Sequence, residues 1–212
     1  MAAGDIATPR ATARVARGQA RGRLLDAAVD VIRARGLSAT SVDDLCAAAG
    51  VTKGAFFHHF ESKEALAVAA AQHWGATTGA MFAAASYHQG ATAAERVLAY
   101  VDLRAESMQG PPLAAISCLA GTMVQEAYGT SPAVRDACGA TILDHARTLE
   151  ADLAEALADA GNPPGVDAPS LARHMVAVVQ GAFVVAKAAD DPSVAVESLV
   201  HLRRYLALLF GA

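Results

Sequence analysis

Between Thr52 and Lys63 the segment TKGAFFHHFESK sets two primary amines, two imidazoles and two hydroxyls within a dozen residues. Those groups are hydrogen-bond donors suited to phosphate oxygens and base edges. Lys53 is the lone cation of the stretch before Lys63, placed to reach a guanine edge or a phosphate, with a solvated surface lysine as the plainer alternative. Gly54 and Ala55 are small where a longer side chain would hold a helix away from DNA. Because an interior helical glycine costs about 1 kcal/mol relative to alanine, close approach is a physical reason for Gly54. His58 and His59 would suggest a metal, but neighbours on a helix point about 100° apart and no partner at i+4 completes a chelating pair. No metal site or cofactor is expected. Catalytic signatures are missing as well: the chain has no phosphate-binding loop, no GxSxG, no HExxH and no Cys-His ligand spacing.

These residues need two short helices joined by a tight turn. Val42, Leu45 and Ala49 share one helical face, while Asp43 and Asp44 point away from it. Thr40 or Ser41 caps this helix, with an acid three residues later matching a capping box, and either hydroxyl could also meet a phosphate. Gly50 supplies the left-handed residue that ends it, and Val51 tucks back between the helices. Thr52 caps the second helix, Phe56 and Phe60 anchor it one turn apart, and Lys53, Gly54, Ala55, Phe57, His58 and His59 occupy the rest of its surface. At ~1.5 Å per residue it is a rod near 12 Å long, matching the width of a major groove.

The run resembles the DNA-binding domain of the TetR family of bacterial transcriptional regulators. The resemblance rests on Thr40-Ser41, Asp44-Leu45, Ala49-Gly50-Val51, Phe56-Phe57-His58-His59-Phe60 and Ser62-Lys63-Glu64-Ala65-Leu66, and it covers roughly residues 20 to 66. It implies that His59 and Lys63 contact phosphates and that His58 faces outward as a base contact. Phe57 stands where many members carry a tyrosine whose hydroxyl meets a phosphate, so apolar contact with a thymine methyl is its remaining role. The family's C-terminal domains vary with their ligands, and a fourth helix starting at Ser62 would link head to body and transmit ligand binding by pivoting.

Bulk properties agree. With 212 residues, 54% of them hydrophobic, the chain can bury a substantial core. Abundant Ala and Leu without alternating β-branched runs indicate an all-α protein: an N-terminal three-helix helix-turn-helix domain, then a larger helical ligand-binding and dimerisation domain. Cys46, Cys118 and Cys138 are an odd number at unrelated spacings, arguing against a disulfide framework and for a reducing, cytoplasmic setting. The longest apolar run, Met175 to Ala186, is broken by Gln180 and Gly181, so no membrane span is expected. Up to Phe60, eight Lys or Arg oppose five Asp for a net charge of +3, whereas nine oppose sixteen Asp or Glu in the remainder, for −7. Only the basic head should approach a phosphate backbone.

Residues 1–17 read as a mobile arm whose Arg10, Arg14 and Arg17 either contact phosphates or a minor groove, or are simply solvated. Residues 18–62 form the DNA-binding domain. Its first helix runs from near Gly18 to Arg35, with Leu24, Leu25, Ala28, Val29 and Ile32 inward and Gly36 ending it. Arg21 and Arg23 near its start oppose the helix dipole, and a nearby phosphate is the simplest compensation.

Residues 63–212 form the body. Its fourth helix of the chain runs to about Ser86, followed by helices over Thr92–Met108, Pro112–Tyr128 and Pro132–Ala160. A ligand pocket could use Trp74, Phe82, Tyr100, Cys118, Thr122, Met123 and Glu126, with an ordinary helix core as the equal alternative. His145 completes that set, a packed histidine being its plainer reading. Two apolar helices, about 169–189 and 192–210, close the chain. Met175, Val178, Val179, Ala182 and Phe183 on one, with Leu199, Leu202, Leu206 and Leu209 on the other, are expected to form a four-helix interface with a second copy.

The resulting expectation is a homodimeric, sequence-specific transcriptional regulator, taken as a repressor, binding a near-palindromic operator and released by a small-molecule effector. The competing readings are a helical protein-binding adaptor without DNA binding, favoured by Phe57 and the single recognition-helix cation, and a helical enzyme, favoured only by the size of the body.

Overall fold

A computed structural model describes the backbone from residue 17 and the side chains from residue 19 to the C-terminus. Ten α-helices and one 3-10 turn, with no strand, make up the described residues. The head comprises α1 (Arg17–Arg35), α2 (Val42–Ala49) and α3 (Lys53–His59). Leu24, Leu25, Ala28 and Ile32 of α1 meet Leu45 and Ala49 of α2, with Phe56 and Phe60 closing the same core. Ser41 is the cap of α2: its hydroxyl accepts from the Asp44 amide and the Asp44 carboxylate accepts from the Ser41 amide, a complete capping box. Gly50 sits at φ 62°, the left-handed conformation that only glycine adopts without strain.

The link to the body is α4 (Lys63–Ala83), capped by Ser62. Leu66, Ala67, Ala70 and Ala71 of its first half belong to the core of the head, whereas Phe82 in its last turn belongs to the core of the body. One rod thus spans both. After a 3-10 turn at Ser86–Gln89 come α5 (Ala93–Ser107), α6 (Leu113–Ile116), α7 (Leu119–Ala127) and α8 (Pro132–Asp159), with Ser131 capping and Pro132 opening α8. Arg96 of α5 ties to Asp152 and Glu155 of α8, each at 2.8 Å. The helix expected over Pro112–Tyr128 is broken between α6 and α7, where Ser117 is extended. The cause lies 84 residues away in sequence: the Arg33 guanidinium donates to the carbonyls of Ala115 and Ser117, taking acceptors that a continuous helix would use.

The last two helices, α9 (Ala168–Ala189) and α10 (Ser193–Phe210), pack on each other, α9 also on α8 and α10 on α5. By length and composition α9 is apolar enough to cross a membrane, but its buried residues face α8 and α10 as in the core of a helical domain. The expected interface face needs correcting. Met175, Val179, Ala182, Phe183, Leu199, Leu202 and Leu206 are buried in the chain's own core, while Val178 and Leu209 lie at its edge. The apolar face left in solvent is the other one: Val184 and Val185 on α9, with Val200, Tyr205 and Leu208 on α10, Leu208 being 78% exposed.

Candidate nucleic-acid interface and body cavity

The three-residue joint from Gly50 to Thr52 projects α3 from the head. The Thr52 hydroxyl accepts from the Ala55 amide, and the Phe56 ring is fully buried. With Phe56 and Phe60 turned inward, Lys53, Gly54, Phe57 and His58 lie in solvent, Ala55 and His59 beside them are half-buried, and Phe57 is 52% exposed. The Lys53 ammonium pairs with the Asp43 carboxylate at 2.9 Å, both groups being well exposed. Such a surface pair contributes less than about 1 kcal/mol, so exchanging Asp43 for a phosphate costs little. A Cβ added to Gly54 would have Thr52 Oγ1, 3.8 Å away, as its nearest neighbour. Among the described residues nothing therefore requires glycine there, which fits a position kept small for close approach to a partner.

Arg21 is exposed, with its guanidinium carbon 5.6 Å from the centre of the Phe60 ring. Arg23, also exposed, reaches across the α2–α3 turn and lies where a side chain on Gly50 would have to go. It joins the basic rim of the head, and its place in the first turns of α1 was the legible signal. Arg14 lies outside the described residues, as does the expected arm up to residue 16. Of Arg17 only the backbone, at the start of α1, is described.

Two residues expected to meet phosphate have bonds within the fold: Thr40 is turned inward, and Lys63 is held beside the head. Thr40 is 1% exposed and its hydroxyl donates to the Gly36 carbonyl at 2.6 Å, so it is neither a cap nor available to DNA, and Ser41 alone fills that position. The Lys63 ammonium donates to the carbonyls of Leu37 and Thr40 at 2.9 and 2.8 Å, clasping the α1–α2 loop. Two of its three protons are committed to the head's own backbone.

The body holds a cavity of about 360 Å³ between α4, α5, α8 and α9, reached by α1 at Arg33. Of the residues expected to line it, Trp74, Phe82, Cys118 and His145 do so. Four do not. Tyr100 lies behind the wall, its hydroxyl 2.7 Å from His145 Nε2. Thr122 faces a separate shallow cleft with Gln180 and Lys187, and Met123 is fully buried in the core that α7 shares with the head. Glu126 points at the head: its carboxylate accepts from the amides of Leu37 and Ser38 at 3.0 and 2.7 Å. Burial beside Arg104 pushes the His145 imidazole down to about 4, so it is neutral near pH 7.

Arg33 and Arg104 also line the cavity, and neither is among the residues expected there. Arg104 was legible in principle, because Val97, Tyr100, Val101 and Met108 form one buried face of α5 and position 104 falls on it. Arg33 was not, since its guanidinium leaves the head to lie 4.7 Å from the Trp74 ring centre.

The model of bacterial regulatory proteins of the tetR family matches residues 24–70, and that of the tetracyclin repressor-like C-terminal domain matches residues 93–202. The HTH-type transcriptional repressor KstR2 of Rhodococcus jostii (strain RHA1) is 48% identical over 46 residues, 22% of either chain. The alignment thus spans about a fifth of that relative's length. A TetR-family transcriptional regulator from Agrobacterium tumefaciens superposes with a TM-score of 0.78 at 19% identity, over 90% of this chain and 98% of its own. A TetR transcriptional regulator from Chloroflexus aurantiacus gives 0.75 at 26% identity, over 90% and 96%. With both halves matched by the corresponding models, the chain belongs to the TetR family of bacterial regulatory proteins, a family of transcriptional regulators and not of enzymes.

Proposed function

We propose that this chain is a homodimeric, sequence-specific DNA-binding transcriptional regulator of the cytoplasm, acting as a repressor that a small-molecule effector releases from its operator. The observation that carries the reading is α3: a short helix anchored on its inner face by Phe56 and Phe60, with Lys53, Gly54, Phe57 and His58 turned to solvent. Residues 18–62 are the unit that meets the DNA, and residues 63–212 bind effector and partner. A single head of this size touches few phosphates. A two-fold dimer would set two such helices about 34 to 36 Å apart in successive major grooves, which calls for a near-palindromic operator. The exposed apolar stripe of α9 and α10 is the surface that supports pairing, since an unpaired patch of that kind is costly in water.

Effector release is supported by two groups that belong to both halves. Arg33, on the last turn of α1, forms part of the body's cavity wall, and α4 runs from the head's core past the same cavity. A molecule that moves either one moves the head. The adaptor reading draws on the Lys53–Asp43 pair and the exposed Phe57. Titrating the full chain against labelled duplex from its own promoter over a range of salt concentrations separates the two. Affinity that falls steeply with salt, with preference for a near-palindrome, is the expected result. No sequence-specific complex at low salt would reject the regulator and leave the adaptor.

A further inference from the structure

Resting on the effector reading above, we infer that the body's cavity takes an apolar molecule ending in one carboxylate, with Arg104 as the group that receives it. Among the described residues, Arg33 and Arg104 are the charged groups in the cavity wall, and no Asp or Glu lines it. Arg33 is already engaged, donating from Nε to the Ser117 carbonyl at 2.7 Å and from Nη2 to the Ala115 carbonyl, with Trp74 beneath it. Arg104 is different. Among the described residues no carboxylate pairs with it, its Nε is buried without a hydrogen-bond partner, and its guanidinium lies 5.2 Å from the Phe82 ring centre. A buried donor on a cation without an acceptor is costly, and a carboxylate is the group whose two oxygens match the guanidinium fork.

The neighbours add no competing charge. His145 is neutral near pH 7, and the Tyr100 phenol behind it is held protonated by burial. The rest of the wall carries no charge: Met81, Ile116, Ile142, Val176 and Phe183 give it a mainly apolar surface, with Thr77, Thr78, Ser107, Thr141 and Gln180 as neutral polar groups among them. An anionic head with an apolar body therefore fits, whereas a cation would meet two guanidiniums and no acid.

The test uses the full DNA-free chain and two probe sets: decanoate, decanamide and decylamine, and 4-phenylbutyrate with its primary amide. Amide and acid are nearly equal in size, so their difference reads the charge. By calorimetric titration and thermal shift, at least one acid should bind tenfold or more tightly than its amide, and decylamine should not bind. Arg104→Gln should erase the acid–amide difference while Arg104→Lys keeps part of it, circular dichroism confirming that both variants fold. Acids that bind no better than their amides, or an acid preference that survives Arg104→Gln, would overturn the inference. Operator binding by the same preparation separates the failures: intact DNA binding with no acid preference sinks the carboxylate assignment alone, and absent DNA binding sinks the regulator reading.

Discussion

The recognition helix and the C-terminal pair are both amphipathic surfaces, yet only the first has one apolar side. At α3 the two residues spaced for burial, Phe56 and Phe60, are the buried ones, and Lys53, Gly54, Phe57 and His58 face outward. In α9 and α10 apolar residues surround much of each rod, so the 3.6-residue period finds two candidate faces and does not say which is internal. The face with the larger leucines is folded against the chain's own α5 and α8, and the smaller face with Val184, Val185, Val200 and Leu208 is left outside. Periodicity assigns a side only when there is one apolar side to assign; with two, volume and packing decide.

That contrast makes its largest prediction within a single turn of α10. Leu206 is fully buried, and Leu206→Ala should lower the unfolding free energy by about 2–5 kcal/mol in a urea titration. Leu208→Asp, two residues on, should leave the monomer within about 0.5 kcal/mol and instead weaken self-association, read by sedimentation equilibrium. Equal damage to folding by both would mean that the two faces are not distinct.

Acid should act on the body through His145. Its folded value, about 4, lies below the ~6.5 of an unfolded histidine, so the unfolded chain binds the extra proton more readily. Stability from this group is complete above pH 6.5 and is lost as pH falls toward 4, by an amount on the order of 3 kcal/mol. Chemical denaturation at pH 7, 5 and 4 should show the loss, and His145→Gln should flatten it.

The outward face of α3 is tested by smaller changes. Lys53→Ala should weaken operator binding by about 1–3 kcal/mol and relax preference at one base pair, measured by anisotropy on a panel of substituted operators. Equal loss on every sequence would make Lys53 a phosphate contact. Gly54→Ala should raise thermal stability by up to about 1 kcal/mol, because the added methyl has room, while weakening operator binding about tenfold. A variant that is both more stable and equally tight on DNA would remove close approach as the reason for that glycine.

What was legible in the sequence was local. The Ser41–Asp44 box, the Gly50 stop, the Thr52, Ser62 and Ser131 caps and the Phe56–Phe60 anchor each involve residues within a turn of one another. What was not legible depended on distant partners. Thr40 and Ser41 satisfy the same cap pattern, and only the fold of the Gly36–Thr40 loop turns Thr40 inward. Lys63 finds carbonyls 23 and 26 residues earlier, Glu126 finds amides 88 and 89 residues earlier, and Arg33 takes helix carbonyls 82 and 84 residues later. Four of the eight expected pocket residues missed the cavity for the same reason: helical phase told which residues were on the inner side of α5 or α7, not which interior they entered.

Presentation of α3 in duplicate is the claim on which the account turns, and hydroxyl-radical footprinting of the full chain on its own promoter tests it most directly. Two protected half-sites about one helical turn apart, related by a two-fold axis, are predicted. A single protected half-site, or uniform protection that ordinary salt removes, would contradict it.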